Sequence, residues 1–328
     1  MGPGRAARVR ARVRARASGL WQRLVLLGAT GAIFSACSEF WFYRLTGDVG
    51  QVGLILAYGW FGYTFVLTLR LFQVRAFSGF FVAAGIFGFL VEGTLVPVLY
   101  LNLPFSIAWT SLGWHALFSV SVGYYLYRRI MAGASARAAL VLNGALGTAL
   151  GIWNAYLWNV VESPGGGVAS YDWQPTGAFA LQFLSGWALF LGGHMLLDRF
   201  PPCPARPPRL EFALFLGVPL GLYAAAFLDP LFPLSLILPL LLLVSLASLG
   251  AGARVPAQPW LDTVFSWRIA KGNYRYALLI PVMAIATYAV FKAARLEWET
   301  NVLVATPAVL VSSLYWFYAL LRANHAGR

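Results

Sequence analysis

Apolar runs of bilayer-crossing length recur along the whole of this sequence, and little besides a bundle of membrane helices can satisfy them. A crossing helix uses about 20 predominantly apolar residues. Such runs are readable at residues 20–42, 52–74, 77–101, 104–127, 138–158, 177–197, 210–228, 231–249, 276–294 and 301–321. Composition agrees: of 328 residues 60% are hydrophobic and 11% charged, against about a quarter charged in a soluble domain. The expectation is an all-α, polytopic integral membrane protein with about ten transmembrane helices. Residues 20–322 would form one membrane domain between a basic tail, 1–19, and a short C-terminal tail, 323–328.

The positions of the charges set the topology. With 24 basic and 11 acidic residues the chain carries a formal +13, a balance that in a soluble protein points to nucleic acid. Here the basic residues cluster in alternate loops instead: Arg70 and Arg75; Arg128, Arg129 and Arg137; Arg199, Arg206 and Arg209; Arg254, Arg268, Lys271 and Arg275. With both termini in the cytoplasm, only Arg44, Lys292 and Arg295 of the 24 fall outside, as the positive-inside rule requires. An inner (cytoplasmic) cell membrane is the expected location, the bilayer the expected partner, and nucleic acid is not expected.

The first 38 residues contain no acid, and Arg5, Arg8, Arg10, Arg12, Arg14 and Arg16 alternate with small residues. They read as a disordered cationic anchor against anionic headgroups, with a nucleic-acid arm or a transit peptide as lesser alternatives. Phe34-Ser35-Ala36-Cys37 has the look of a lipoprotein cleavage site, with an ordinary first span containing a cysteine as the plainer reading. Cys37 and Cys203 fall on opposite sides of the membrane and cannot pair. Neither has a metal-ligand spacing around it, so no metal site follows from the motifs, and no cofactor is indicated.

Several loops have expected structures. Leu101-Asn102-Leu103-Pro104 makes spans three and four an antiparallel hairpin, with Pro104 at the first helical position. Pro97 is expected to kink span three, and Asp229-Pro230 to split residues 210–249 into two crossings. Gly144, Gly147 and Gly151 form a small-residue stripe for close helix packing. The connection 159–176, with Gly165, Gly166 and Gly167 and then Tyr171-Asp172-Trp173, reads as a mobile strip with an aromatic foot. The segment near 259–271 has apolar residues at 260, 261, 264, 265 and 269, the pattern of a short helix lying in the cytoplasmic interface.

Ionisable residues inside spans are functional candidates because burying them costs a few kcal/mol. Glu92 and His115 stand out. They lie at similar distances before and after the turn near residue 102, so at about 1.5 Å per residue their depths differ by only about 3 Å. They can meet across the hairpin in the outer half of the membrane, where a carboxylate on one imidazole nitrogen would leave the other free as base, acid or ligand. The plainer reading is a packing device, with Glu92 protonated and bonded to His115 or a serine. Glu39, Trp109, Trp114, Asn154, Trp158, Asn159 and Glu162 could line an outward-opening substrate cavity with the pair, or serve merely as interfacial polar groups and an aromatic belt. His194 and Asp198, at i and i+4, read as an interfacial pair, and Ser119 and Ser121 as serines bonding back along their own helix. HExxH, nucleophile-elbow and phosphate-loop patterns are missing from the sequence.

Three function classes remain. An outer-leaflet Glu/His pocket binding or processing an amphipathic, lipid-like small molecule suits the one-sided distribution of polar residues. It would act by proton transfer, or through a divalent metal if Glu39 or Asn154 joined the pair. A secondary transporter would need polar or broken helices through the whole thickness. A structural or assembly subunit would use the pair for packing alone.

Overall fold

The computed structural model describes residues 3–44, 50–162, 168–200, 208–252 and 260–323. The described residues form a predominantly helical, all-α multi-pass membrane protein with one short two-stranded hairpin. Among the described residues eight helices are long and apolar enough to cross a bilayer. In chain order the elements are α1 (Pro3–Ser35), α2 (Gly50–Leu71), α3 (Phe77–Leu90), α4 (the π-helical Ile107–Leu126 leading into Tyr127–Gly133) and α5 (Ala136–Leu157). A small hairpin of β1 (Val160–Glu162) and β2 (Val168–Tyr171) follows, then α6 (Thr176–Arg199), α7 (Arg209–Tyr223), α8 (Ile237–Gly252), α9 (Trp260–Ser266), α10 (Leu279–Ala294) and α11 (Thr300–Arg322).

Helix α3 is the centre of the bundle: 94% of its span window is buried, against 17% for α7 at the edge. Its all-round apolar sequence, Phe77 to Leu90, fits that position, and α2, α4, α8 and α11 pack around it. Gly88 permits the closest of these approaches, because a Cβ there would lie 2.2 Å from the Ser111 carbonyl oxygen on α4. Gly147 and Gly151 do the same for α5 on α10, at 2.4 Å from the Ile280 oxygen and 2.6 Å from that of Ala284. Gly144 has nothing within 4 Å, so the contact part of the expected stripe is two residues long.

The structure departs from the sequence reading in several loops. Span three ends at Leu95 and not near residue 101, because Val96, which precedes Pro97, is extended (φ −132°, ψ 143°), as residues before proline tend to be. Tyr100 donates to the Gly93 carbonyl at 2.8 Å and Ser106 to that of Leu99 at 2.9 Å, supplying partners for carbonyls left over by the break. Pro104 lies in the turn ahead of α4, with Asn102 in the left-handed region at φ 52°. The helix α1 starts at Pro3, so the arginine-rich segment is continuous with the first span and not a disordered tail. Alanine and arginine are good helix formers, and no glycine or proline interrupts residues 5–18.

Connection 159–176 is also ordered where it is described. Val160 pairs with Tyr171 and Val161 with Ser170 in an antiparallel ladder, as β-branched and aromatic residues favour, while Gly165, Gly166 and Gly167 lie outside the described residues. Its foot packs on the bundle: Trp173 meets Tyr288 edge to face, and Tyr288 donates to Asn159 Oδ1 at 2.9 Å. The expected interfacial helix is shorter than 259–271, running Trp260–Ser266, and a 3₁₀ segment follows at Lys271–Leu278. Val264, Phe265 and Ile269 are buried, which fixes this segment to the bundle. Arg70 lies 4.3 Å above the Phe265 ring and 3.2 Å from Asp262.

Two polar clusters mark opposite ends of the bundle. At one end Arg128, 3% exposed, donates to Asp198 at 2.6 Å and to the carbonyls of Trp267 (2.8 Å) and His194 (3.2 Å). Asp198 also accepts from Tyr274 (2.5 Å) and from the Ile269 amide (3.0 Å). This corrects the expected His194–Asp198 surface pair: His194 is wholly buried, and both residues serve Arg128, because three helix ends meet there. At the other end, which carries the hairpin, Asn159 accepts from Gln174 and Tyr288, and Lys292 donates to the Gln174 carbonyl. A third tie joins α1 and α2 to the start of α7, far apart in sequence: Arg23 grips Glu211 with two bonds, 2.5 and 2.8 Å, and Tyr63 donates to the same carboxylate.

Candidate functional site

Glu92 and His115 meet. Glu92 Oε1 lies 2.6 Å from His115 Nε2, in the half of the bundle nearer the hairpin. The register of α3 against α4, allowed by Gly88, brings them level. The second imidazole nitrogen is not free as the sequence suggested: His115 Nδ1 lies 3.1 Å from Ser38 Oγ, which in turn lies 2.7 Å from Ser119 Oγ. Ser119 also reaches the Trp114 carbonyl at 3.1 Å. A hydrogen-bonded chain therefore runs Glu92, His115, Ser38, Ser119, Trp114 O. Each hydroxyl can donate in either direction, so the chain is satisfied with a neutral or a protonated ring.

Glu39 stands beside this chain. Tyr58 donates to its Oε1 at 2.6 Å, and its carboxyl lies within electrostatic reach of both Glu92 and His115. The rings of Tyr58 and Phe87 stand 6.0 and 5.9 Å from the imidazole. Ser38, Ser119, Glu92 and His115 are all buried, whereas Glu39 is half-buried and forms the more accessible rim.

Every polar member of this set except Tyr58 sits on π-helical backbone. Ser38 and Glu39 lie in the π turn Ala36–Phe40, Glu92 in Val91–Leu95, and His115 and Ser119 in Ile107–Leu126. Such turns are rare and concentrate at functional sites, since the wider turn re-aims side chains and loosens carbonyls. Serines answer the loosened carbonyls, as expected for Ser119 and Ser121: each bonds back five residues, to Trp114 and Ala116.

The other expected lining residues are placed as follows. Trp114 joins the site, donating its indole N–H to the Ser38 carbonyl at 3.0 Å, and Trp109 packs against it edge to face at 5.5 Å. Asn154 turns back to its own helix, donating to the Leu150 carbonyl. Asn159 is committed to the hairpin anchor. Trp158 lies against Phe179 and lines a separate cavity of about 400 Å³ with Arg44, Gln51 and Gln182. Glu162 is in β1, opposite Val168. The single large outward cavity that would have joined all of them is thus divided. Among the described residues no three His, Cys, Asp or Glu side chains converge, so the metal alternative lacks its third acidic or imidazole ligand.

A second cavity, of about 320 Å³, runs between α4, α5 and the turn that follows α1, residues 37–42. Cys37, Phe42, Phe118, Leu146, Trp153 and Val304 are in its wall, which is almost wholly hydrocarbon. Leu126, an exposed residue, also lines it and places its mouth on the lipid-facing surface. Cys37 precedes Ser38 and Phe118 precedes Ser119, so the cavity and the hydrogen-bonded chain occupy different faces of the same two helical segments.

Neither a family model, nor a curated protein, nor a solved structure matches this chain. Ser38, Tyr58 and Ser119 were not anticipated as members of it. A serine beside an acid in an apolar run was the one available signal for Ser38, while Tyr58 sits unmarked among the aromatic residues of α2.

Proposed function

We propose that this protein binds, or acts on, an amphipathic lipid-like small molecule, with the apolar part in the 320 Å³ cavity and the polar part at the Glu92–His115–Ser38 chain. One observation carries the reading: an acid–imidazole–hydroxyl chain shares its helical walls with an apolar cavity open to lipid. Dry apolar cavities take up hydrocarbon, and this volume lies at the lower end of ligand pockets, about 300–1,000 Å³. A secondary transporter would need a polar lining from end to end. Here the stretch between Ser121 and Arg128 borders the hydrocarbon cavity through Val122, Gly123, Leu126 and Tyr127. A packing role is favoured by one fact, that both imidazole nitrogens are already engaged.

The test is purification with native lipid, followed by mass spectrometry of what is retained. We expect a hydrocarbon-bearing molecule at near-stoichiometric amount, lost when Leu146→Trp fills the cavity and reduced about tenfold in Glu92→Gln and His115→Ala, the size of one lost hydrogen bond to a charged group. Unchanged retention in both Glu92→Gln and His115→Ala would leave the packing role.

The same proposal carries ten spans with both termini in the cytoplasm of an inner membrane, and the arginine-rich 1–19 segment at anionic headgroups. Two further apolar helical stretches, 107–133 and Leu234–Gly250, support the higher count. So does the gathering of Arg70, Arg128, Asp198 and Asp262 at one end of the bundle, opposite Asn159, Gln174 and Lys292. Cys203 gives a direct check. A membrane-impermeant maleimide should leave it unmodified in intact cells and modify it after permeabilisation, and modification in intact cells would reverse the topology.

A further inference from the structure

The hydrogen-bonded chain holds more than an acid–imidazole pair. From its geometry we infer that Ser38 is a nucleophile, activated by His115 as base and by Glu92 as the group that orients the base, and that the substrate is a carboxylic ester or thioester of a long hydrocarbon acid. This inference rests on the proposed lipid-binding function and gives it a chemistry. The signature of an activated serine is a hydroxyl within about 2.6–3.2 Å of a base that a third group holds in place. Ser38 Oγ to His115 Nδ1 is 3.1 Å, and His115 Nε2 to Glu92 Oε1 is 2.6 Å. Such constellations are recognised by geometry and roles and not by sequence order, and here the three residues come from three separate helices.

The proton arrangement is self-consistent. A carboxylate at Glu92 fixes the ring hydrogen on Nε2, which leaves the Nδ1 lone pair facing the Ser38 hydroxyl. Ser38 donates to Nδ1, while Ser119 donates to the Trp114 carbonyl or to Ser38. In the reaction Ser38 Oγ bonds to the acyl carbon and its proton passes to Nδ1. The ester C–O (or thioester C–S) bond then breaks, and the proton leaves with the departing alcohol or thiol. Water or a second alcohol later attacks the acyl-serine, gives its proton to Nδ1, and restores Ser38 as the acid or the new ester is released. The imidazolium formed at each step lies against the Glu92 carboxylate.

The cavity supplies the substrate class. Cys37, one residue from Ser38, is in its wall, and an acyl chain lying there would bring its carbonyl end toward the same helical turn. Ser38 is fully buried, so the wall formed by Cys37 and Phe42 has to yield for a carbonyl to arrive. The same seclusion protects an acyl-serine from premature hydrolysis.

The test uses the full-length wild-type protein in native-lipid nanodiscs and alkyl fluorophosphonates of long and short chain. Attack expels fluoride as the serine oxygen bonds to phosphorus. We expect a single covalent adduct mapped to Ser38 by peptide mass spectrometry, faster for the long-chain than for the short-chain probe. The reaction should slow at least about 100-fold in Glu92→Gln and in His115→Ala, the lower range for general base catalysis. Absence of a Ser38 adduct in wild-type protein that still retains its native lipid would overturn the inference and leave the binding function standing. Absence of both adduct and lipid would remove both. Because the decisive measurement is made on unaltered protein, a variant that fails to fold does not obscure it.

Discussion

Gly88→Ala should lower stability by about 2 kcal/mol, within the 1–3 kcal/mol typical of overpacking, and should part Glu92 from His115. The added methyl would sit 2.2 Å from the Ser111 carbonyl oxygen and 2.9 Å from its carbon. Both atoms are backbone, so no rotamer change can relieve the contact, and α3 and α4 must separate. Gly144→Ala is the matched control, since nothing lies within 4 Å of its added carbon; alanine in place of glycine inside a helix gains about 0.5–1 kcal/mol. Thermal unfolding of both variants in one detergent checks the pair. Equal melting temperatures would mean that the α3–α4 contact is looser than described, and with it the geometry of the site.

Arg128→Ala should cost more, about 3–5 kcal/mol, the range for removing one partner of a buried ion pair. Its guanidinium satisfies Asp198 and two backbone carbonyls, and side-chain exposure is 4% for Arg128 and 14% for Asp198. Truncation removes the counter-charge of Asp198 and one donor from each of the Trp267 and His194 carbonyls among packed helix ends. Replacing both partners with apolar residues, Arg128→Met with Asp198→Leu, should recover much of the loss, because nothing charged is then left unpaired. The measurement is again the unfolding midpoint, and a single variant as stable as the unaltered protein would show that this cluster does not bear on stability. Since α4 carries both Arg128 and His115, the single variant should also weaken ligand retention, whereas a purely local role would leave it unchanged.

Much of the fold was legible because its cause is local. A bilayer requires each crossing segment to satisfy its own backbone, so apolar length alone marks the spans, and the helices lie close to the apolar runs. The hairpin at residue 102 was legible for the same reason: a short turn leaves two helices little choice but to lie antiparallel. That arithmetic placed Glu92 and His115 at one depth before any side chain was located.

Local signals failed where long-range packing decides. Arg23 and Glu211, like Arg70 and Asp262, stand almost 200 residues apart, and no periodicity links them. The i, i+4 spacing pairs Asp198 with the histidine on its own helix, but a buried arginine from another helix offers it a stronger partner. In the connection 159–176 the glycines suggest a loose strip more strongly than the valines suggest a strand, whereas its backbone pairs and Tyr288 holds its base. The short helix at Trp260–Ser266 was legible as an amphipathic segment, but its fixation by Arg70 was not.

The sequence by itself determined a membrane bundle and the levelling of one acid with one imidazole, because segment length and helical rise are properties of a chain considered alone. Only the tertiary structure decided that Ser38 closes on the second imidazole nitrogen, that Tyr58 holds Glu39, and that an apolar cavity backs onto the same turns. Those contacts depend on the rotation of α1 and α2 against α3 and α4, which close interhelical packing and π turns fix. No pattern of residues along the sequence encodes that rotation.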